Sequence, residues 1–386
     1  MIRDPKKSCC ICMQLNSLFN GLVFYAPVAL LVRTRTGLSI SDFFYLQVIL
    51  SASILLFEIP AGILADKIGY KRSIIISQSV LLAARIILSN ARSFILFAIE
   101  AVLEGFSSSL ISGTTSSYIY SFYKGEEYTF ISSKINNWGT IGFVFSTVFY
   151  AILLPIVDVT GLLILTCITS LCAVVSTLFL PDIETPTASK TISMGPKDFS
   201  SCRCLPLFVV PLSALSIASL IINFFYANKI NQIGLKYEVM SLIILGYSAV
   251  ELLSPMIVKK IRKPQYWKCV ILLSATISIC FFLMFTSNNF VCIAIMLILP
   301  LLLSMVYYLL DELVNEKIDL LGLDNQRATV LSVLNMGNNL LDIVFLFSSA
   351  LLSEDDSSNA FLFVAVYFSL SLLYVCGALR KKYKEI

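Results

Sequence analysis

Glu100 and Glu104 stand four residues apart in a long apolar run over 93–122. In a helix that spacing puts both carboxyls on one face. Glu104 falls about 11 residues, or roughly 16 Å, from the end at residue 93, close to the middle of a bilayer core. An ionisable group there costs roughly 2.5–3.5 kcal/mol on insertion scales, so it faces a bundle interior or a wet cavity rather than lipid. The chain has no histidine, which removes imidazole as proton carrier, metal ligand or base and leaves carboxylates for proton transfer. Arg85, in the run 73–90, reaches about the depth of Glu100 across a short hairpin. Its expected role is to neutralise Glu100 as a structural pair, leaving Glu104 as the proton-coupling candidate.

A second intramembrane acid, Asp342, lies about 14 residues into the run 328–352. Asn335, Asn338 and Asn339 precede it at helical spacing, forming one polar stripe turned from lipid. Such a stripe lines a substrate cavity or holds helices together; cavity lining is the reading adopted, with Asp342 as a further proton-coupling candidate. Asn20 and Tyr25 in the run 14–32, and Asn223 and Tyr226 in 205–227, offer polar and aromatic points to an amphipathic guest. Asp311 and Glu312 end the run 290–315 as a wet rim or as partners of Arg327. Glu58 and Glu251 each stand eight residues before a helix end, and their matched positions suggest a structural, symmetric role where two halves meet.

The remaining chemistry is sparse. Eleven cysteines fall as Cys9, Cys10 and Cys12 before the first apolar run, Cys202 and Cys204 in the middle of the chain, and six in or beside apolar runs. Their spacing fits no zinc pattern, so free thiols are expected and no metal or cofactor is assigned. Gly-x-x-x-x-Gly-Lys-Ser/Thr is absent, which argues against an ATP-driven pump. No nucleophile–base set is present, so the chain is not read as an enzyme.

The elements that must position these groups are membrane helices. Of 386 residues, 58% are hydrophobic and 13% charged, against roughly 25% charged in soluble domains. The mean hydropathy is +0.86. Runs such as Val291–Leu303 are apolar on every face, which excludes an alternating barrel strand. Twelve helices are expected, at 14–32, 43–65, 73–90, 93–122, 136–155, 159–180, 205–227, 239–259, 269–287, 290–315, 328–352 and 359–379. With both termini inside, the outer segments hold only Arg33, Arg35, Arg92, Lys229 and Lys236, and most other basic residues lie inside. The net charge of +4 reflects these membrane flanks and does not suggest nucleic acid. The first apolar run lacks a small-residue cleavage site and reads as a retained helix.

A Pro/Thr/Ser/Lys stretch over 181–204 divides six helices in 1–180 from six in 205–386 and reads as a linker. The halves align weakly at half the chain length, laying Glu58 and its Ile-Pro-Ala-Gly over Glu251, and Lys134 over Arg327. A duplicated six-helix unit follows, and parallel repeats of that kind place a substrate near the midplane between them.

The segment after 43–65 reads Gly62-Ile-Leu64-Ala65-Asp66-Lys67-Ile-Gly69-Tyr70-Lys71-Arg72. It resembles the loop signature of the major facilitator superfamily (MFS), G-x-L-a-D-[RK]-x-G-r-[RK], with Tyr70 in place of the usual arginine. Phe57-Glu58-Ile59-Pro60-Ala61-Gly62 is similar to the lead-in of a bacterial subgroup. Ser112-Gly113 through Tyr118-Ile119-Tyr120 and Arg327-Ala328-Thr329-Val330-Leu331-Ser332 are similar to its later helices. The resemblance implies an all-α membrane fold of two pseudo-symmetric six-helix bundles, with helices 1, 4, 7 and 10 lining a central cavity. It also implies a gating loop of Gly62, Asp66, Lys67, Gly69, Lys71 and Arg72. There Gly62 lets its helix approach a neighbour closely, Gly69 makes a tight turn, and Asp66 meets the N-terminus of the helix near Arg327. The G-x-x-x-G-P-x-x-G-G run of drug antiporters is missing; 136–155 has only Gly139 and Gly142.

The expected function is secondary transport of a small molecule by alternating access, with proton-coupled efflux first and proton-coupled nutrient uptake second. A non-transporting sensor on the same fold is the rival from another class. The expected partners are the substrate, protons and lipid. The expected setting is the cell membrane, and the expected state a monomer.

Overall fold

The computed structural model describes residues 4–123, 125–182, 206–235, 239–251, 253–258, 260–286, 290–320, 327–352 and 358–384. Those residues form helices joined by short turns, with no strand among them. The chain forms two compact units: Met1–Leu38 with Tyr45–Thr191, and Ser39–Phe44 with Ile192–Ile386.

Unit 1 begins with α1 (Pro5–Gly21), opened by Asp4, whose carboxylate accepts from the Lys6 amide at 3.0 Å, and by Pro5 in the first turn. The helix breaks after Gly21 and resumes as a 3-10 turn (Ala26–Val28) and α2 (Ala29–Thr34). Pro27 disfavours helical backbone at Ala26. α3 (Ile40–Ile68) and α4 (Tyr70–Asn90) are joined by Gly69 alone, at φ 90. A side chain there would be strained, so this turn requires glycine. α5 (Phe94–Phe122) follows, then α6 (Gly125–Leu178), a helical run interrupted at Asp158, where φ is 57 and ψ 176.

Unit 2 holds α7 (Pro206–Gln232), α8 (Val239–Glu251), the short α9 (Ser254–Val258), α10 (Tyr266–Thr286), α11 (Val291–Leu320), α12 (Arg327–Leu352) and α13 (Asn359–Lys384). Among the described residues nine helical stretches are long and apolar enough to cross a membrane, the broken first helix (Pro5–Thr34) taken as one, and Leu242–Val258 is a shorter apolar helix. The expected runs 136–155 and 328–352 also lie in described helix.

Small residues set the closest approaches, as membrane helices require. A Cβ on Gly21 would meet the Gly139 carbonyl oxygen at 2.1 Å, and one on Gly142 the Leu18 carbonyl oxygen at 2.3 Å. α1 and α6 are therefore in backbone contact. Across α4 and α5, the Ser77 and Ser107 hydroxyls each donate to the other's carbonyl, at 3.0 and 2.9 Å. In unit 2, Ser278 ties α10 to the Ala365 carbonyl of α13 at 2.7 Å. Many large apolar side chains remain exposed, among them Leu56, Ile95, Ile156, Leu272 and Leu373. Surface of that kind suits hydrocarbon, not water.

Two expectations about elements are corrected. The first helix starts at Pro5 rather than 14, so Cys9, Cys10 and Cys12 belong to it and are buried beside Tyr118 and Tyr123. The two lysines and the polar turn hid a helix whose inner face is made of thiols. The same helix is not continuous to residue 32. A Cβ on Gly62 would meet nothing within 4 Å among the described residues.

Candidate functional site

The break in the first helix is held by side chains of α6. The Phe24 amide donates to Thr166 Oγ1 at 3.2 Å, and Thr169 Oγ1 donates to the Leu22 carbonyl at 3.0 Å. Ser146 reaches the Val23 carbonyl at 3.5 Å. Irregular backbone at membrane depth persists where protein satisfies it, as here. Thr166 and Thr169 are one turn apart and present both hydroxyls to a single stretch.

The break delivers Tyr25 and Arg33 to the acids of α5. Arg33 is 6% exposed and its Nη2 lies 3.4 Å from Glu100 Oε2; its guanidinium also sits 5.9 Å over the Phe97 ring. Arg85 Nη2 lies 3.0 Å from Glu104 Oε1, and Arg85 Nη1 donates to the Tyr25 hydroxyl. The guanidinium stands 5.5 Å from the Tyr25 ring centroid. The expected pairing of Arg85 with Glu100 is therefore corrected: Arg85 takes Glu104, and Glu100 takes Arg33. Glu100 is 1% exposed, and its Oε1 has no donor among the described residues. Glu100 and Glu104 stand one turn apart on α5, each with its own arginine. Arg33 was missed because it stands at the end of an apolar run, where a basic residue reads as a flank. The useful signal was Pro27, which foretells a change of helix direction just before it.

Unit 2 gathers a second polar group between α7, α12 and α13. Asp342 is buried and accepts from the Ser213 hydroxyl and, at 2.7 Å, from the Ser216 hydroxyl. The Tyr367 hydroxyl donates to Ser213 Oγ at 3.0 Å. Gly337 lets α12 close on α7; a Cβ there would stand 3.1 Å from Val209. Asn338 and Asn339 are half-buried, Asn335 is exposed, and the Asn338 Oδ1 is buried without a hydrogen-bond partner among the described residues. Asn223 is exposed, whereas Tyr226 is fully buried with its hydroxyl likewise unmatched. Asn20 is half-buried and donates to Asn16 at 3.2 Å.

Lys229, expected just past a helix end at 227, lies within α7 and is fully buried, its ammonium 5.8 Å from the Phe361 ring centroid. Glu312 pairs with Lys263 at 3.3 Å, and Asp311 accepts from Asn315.

The remaining acids sit in matched settings. Glu58 accepts from Ser112 of α5 at 3.4 Å, and Glu251 accepts from Ser304 of α11. Each acid is thus bonded to a helix of its own unit. In the loop after α3, Lys71 Nζ pairs with Asp182 Oδ1 at 3.0 Å, while Lys67 and Arg72 are exposed. The side chains of Asp66 and Arg327, and the whole of Cys202 and Cys204, lie outside the described residues.

A sequence profile of the Major Facilitator Superfamily matches residues 9–346. No curated protein sequence matches the chain. Solved structures with a similar fold include the nucleoside transporter NupG, at 14% identity over 97% of this chain and 98% of that one, with a TM-score of 0.74. A D-xylose-proton symporter gives 12% identity over 96% and 97%, also with a TM-score of 0.74. The human organic anion transporter MFSD10 (TETRAN) gives 14% identity over 97% and 100%, with a TM-score of 0.59. At these identities the likeness is one of fold.

Proposed function

The chain belongs to the major facilitator superfamily, and from that premise we propose that it is a proton-coupled secondary transporter of a small polar molecule. Two six-helix halves, 1–180 and 205–386, joined by 181–204, rock about a central substrate. Both termini face the cytoplasm from the cell membrane.

One observation carries the coupling: Glu100 and Glu104, one turn apart on α5, stand inside unit 1 with Arg33 paired to the first and Arg85 to the second. A proton bound by the acids is released when Glu104 turns fully to Arg85, and regained when that pair loosens. The ion pair and the proton compete for one carboxylate, so a motion that moves Arg85 or Tyr25 changes proton occupancy. The loop of Gly62, Asp66, Lys67, Gly69, Lys71 and Arg72 gates the motion, with Lys71 anchored on Asp182. Asn335, Asn338, Asn339, Asn223, Asn20, Tyr25 and Tyr226 supply substrate contacts.

Efflux by antiport is the direction favoured by the likeness of Phe57–Gly62 to a bacterial exporter-like subgroup. Uptake by symport is the second reading, supported by the amide-rich face of α12 and by the fold shared with a D-xylose-proton symporter.

The test is a substrate screen in proteoliposomes under pH gradients of either sign, recording substrate flux and internal pH together. Glu104→Gln should abolish substrate-driven pH change, and Asp66→Asn should abolish flux while still reaching the membrane. Undiminished proton movement in Glu104→Gln overturns the coupling assignment.

A further inference from the structure

We infer that the Asp342 cluster of unit 2 is a binding site for a sodium ion. Asp342 is 7% exposed in a helix at membrane depth. Among the described residues no basic side chain forms an ion pair with it. What surrounds it is oxygen: the Ser216 hydroxyl at 2.7 Å on one carboxylate atom and the Ser213 hydroxyl on the other. Tyr367 donates to Ser213 at 3.0 Å, so the Ser213 oxygen is fixed from behind. One helical turn before Asp342 on the same face, Asn338 presents a carbonyl oxygen that is buried and unmatched among the described residues.

The charge and the donor set specify the guest. Hydroxyl dipoles soften a buried carboxylate but leave its full negative charge uncompensated, and insertion of such a charge is costly. One carboxylate asks for one positive charge. Calcium gathers six to eight oxygens, commonly from several carboxylates, and magnesium holds its waters tightly; neither suits a single buried aspartate. Oxygen donors alone select a hard cation over a transition metal. A proton would serve one oxygen, whereas two carboxylate oxygens and two hydroxyls stand here together, one helical turn from Asn338. The ion bridges α7 to α12 at the level where Ser213 and Ser216 already meet Asp342, so its binding stiffens the seam between those helices. The site is independent of the Glu100–Glu104 pair and stands or falls apart from proton coupling.

The experiment is thermal unfolding of the purified full-length protein in detergent at fixed pH, titrated with sodium chloride against choline chloride at constant ionic strength. Ligand that binds only the folded state raises Tm in a saturable manner. Sodium should give that rise in the wild type and choline should not; Asp342→Asn should abolish it, and Ser216→Ala should move half-saturation to higher sodium. Where Asp342→Asn gives no folded protein, the Ser216→Ala shift decides alone. Coincident sodium and choline curves overturn the assignment. So does a sodium effect that Ser216→Ala leaves unchanged, or a rise in Tm on acidification that sodium does not diminish, which assigns a proton to Asp342 instead.

Discussion

Replacing Gly142 by alanine drives a methyl group into the carbonyl oxygen of Leu18. The added Cβ would stand 2.3 Å from that oxygen, against an ordinary contact of 3.4 Å or more. The helices must part by about 1.1 Å, since neither atom belongs to a side chain that can rotate away. Overpacking of this kind costs about 1–3 kcal/mol. Alanine returns up to about 1 kcal/mol in helix propensity, so a net loss of roughly 1–2 kcal/mol remains. For a unit of this size that is a fall of roughly 2–8 °C in Tm. The separation also pulls Phe24 and Leu22 from Thr166 and Thr169, which adds to the loss. The control is Gly62→Ala, whose Cβ meets nothing within 4 Å among the described residues and which should hold or slightly raise Tm. Both variants are purified in one detergent and unfolded side by side. Equal melting of Gly142→Ala and wild type, or an equal fall in Gly62→Ala, refutes the reasoning.

Two further outcomes are expected. Arg85→Gln leaves Glu104 without its partner in a setting where the pair is 14% and 24% exposed; breaking a buried pair costs about 3–5 kcal/mol, and Arg85→Gln/Glu104→Gln should recover most of that in thermal unfolding. A double variant as unstable as the single one would show that the pair is not the source. Lys71→Ala removes an ion pair whose aspartate is 91% exposed, and exposed pairs contribute about 0–1 kcal/mol. Its Tm should stay near wild type, and a flux defect without a stability defect would then place Lys71 in gating.

The helices were legible because hydrocarbon imposes a single rule, about 20 apolar residues per span, and Gly69 announced its own turn. The acids were legible for the same reason, since a charge at that depth has few benign explanations. Their partners were not. Helical spacing places Glu100 and Glu104 on one face but says nothing of which arginine reaches which acid. That depended on the break at Leu22–Tyr25, whose hydrogen bonds come from residues far along the chain. Asp342 showed its stripe of asparagines in the sequence, whereas Ser213, Ser216 and Tyr367 are ordinary residues until packing brings them to it. The matched serines of Glu58 and Glu251 were hidden likewise, Ser112 and Ser304 standing one position out of register in the two halves.

The broken first helix also has a history in time. Its freed Phe24 amide is answered by Thr166 across 142 positions of sequence. During synthesis the first span enters the bilayer well before α6 has been made. An amide exposed to lipid in that interval would cost several kcal/mol, so the nascent span is better off as an unbroken helix, with Pro27 its only weak point. The bend can form only when the sixth span arrives with its threonines. Arg33 and Glu100 come into register at that moment, so the charged centre of unit 1 is assembled last, by a partner that the ribosome delivers late.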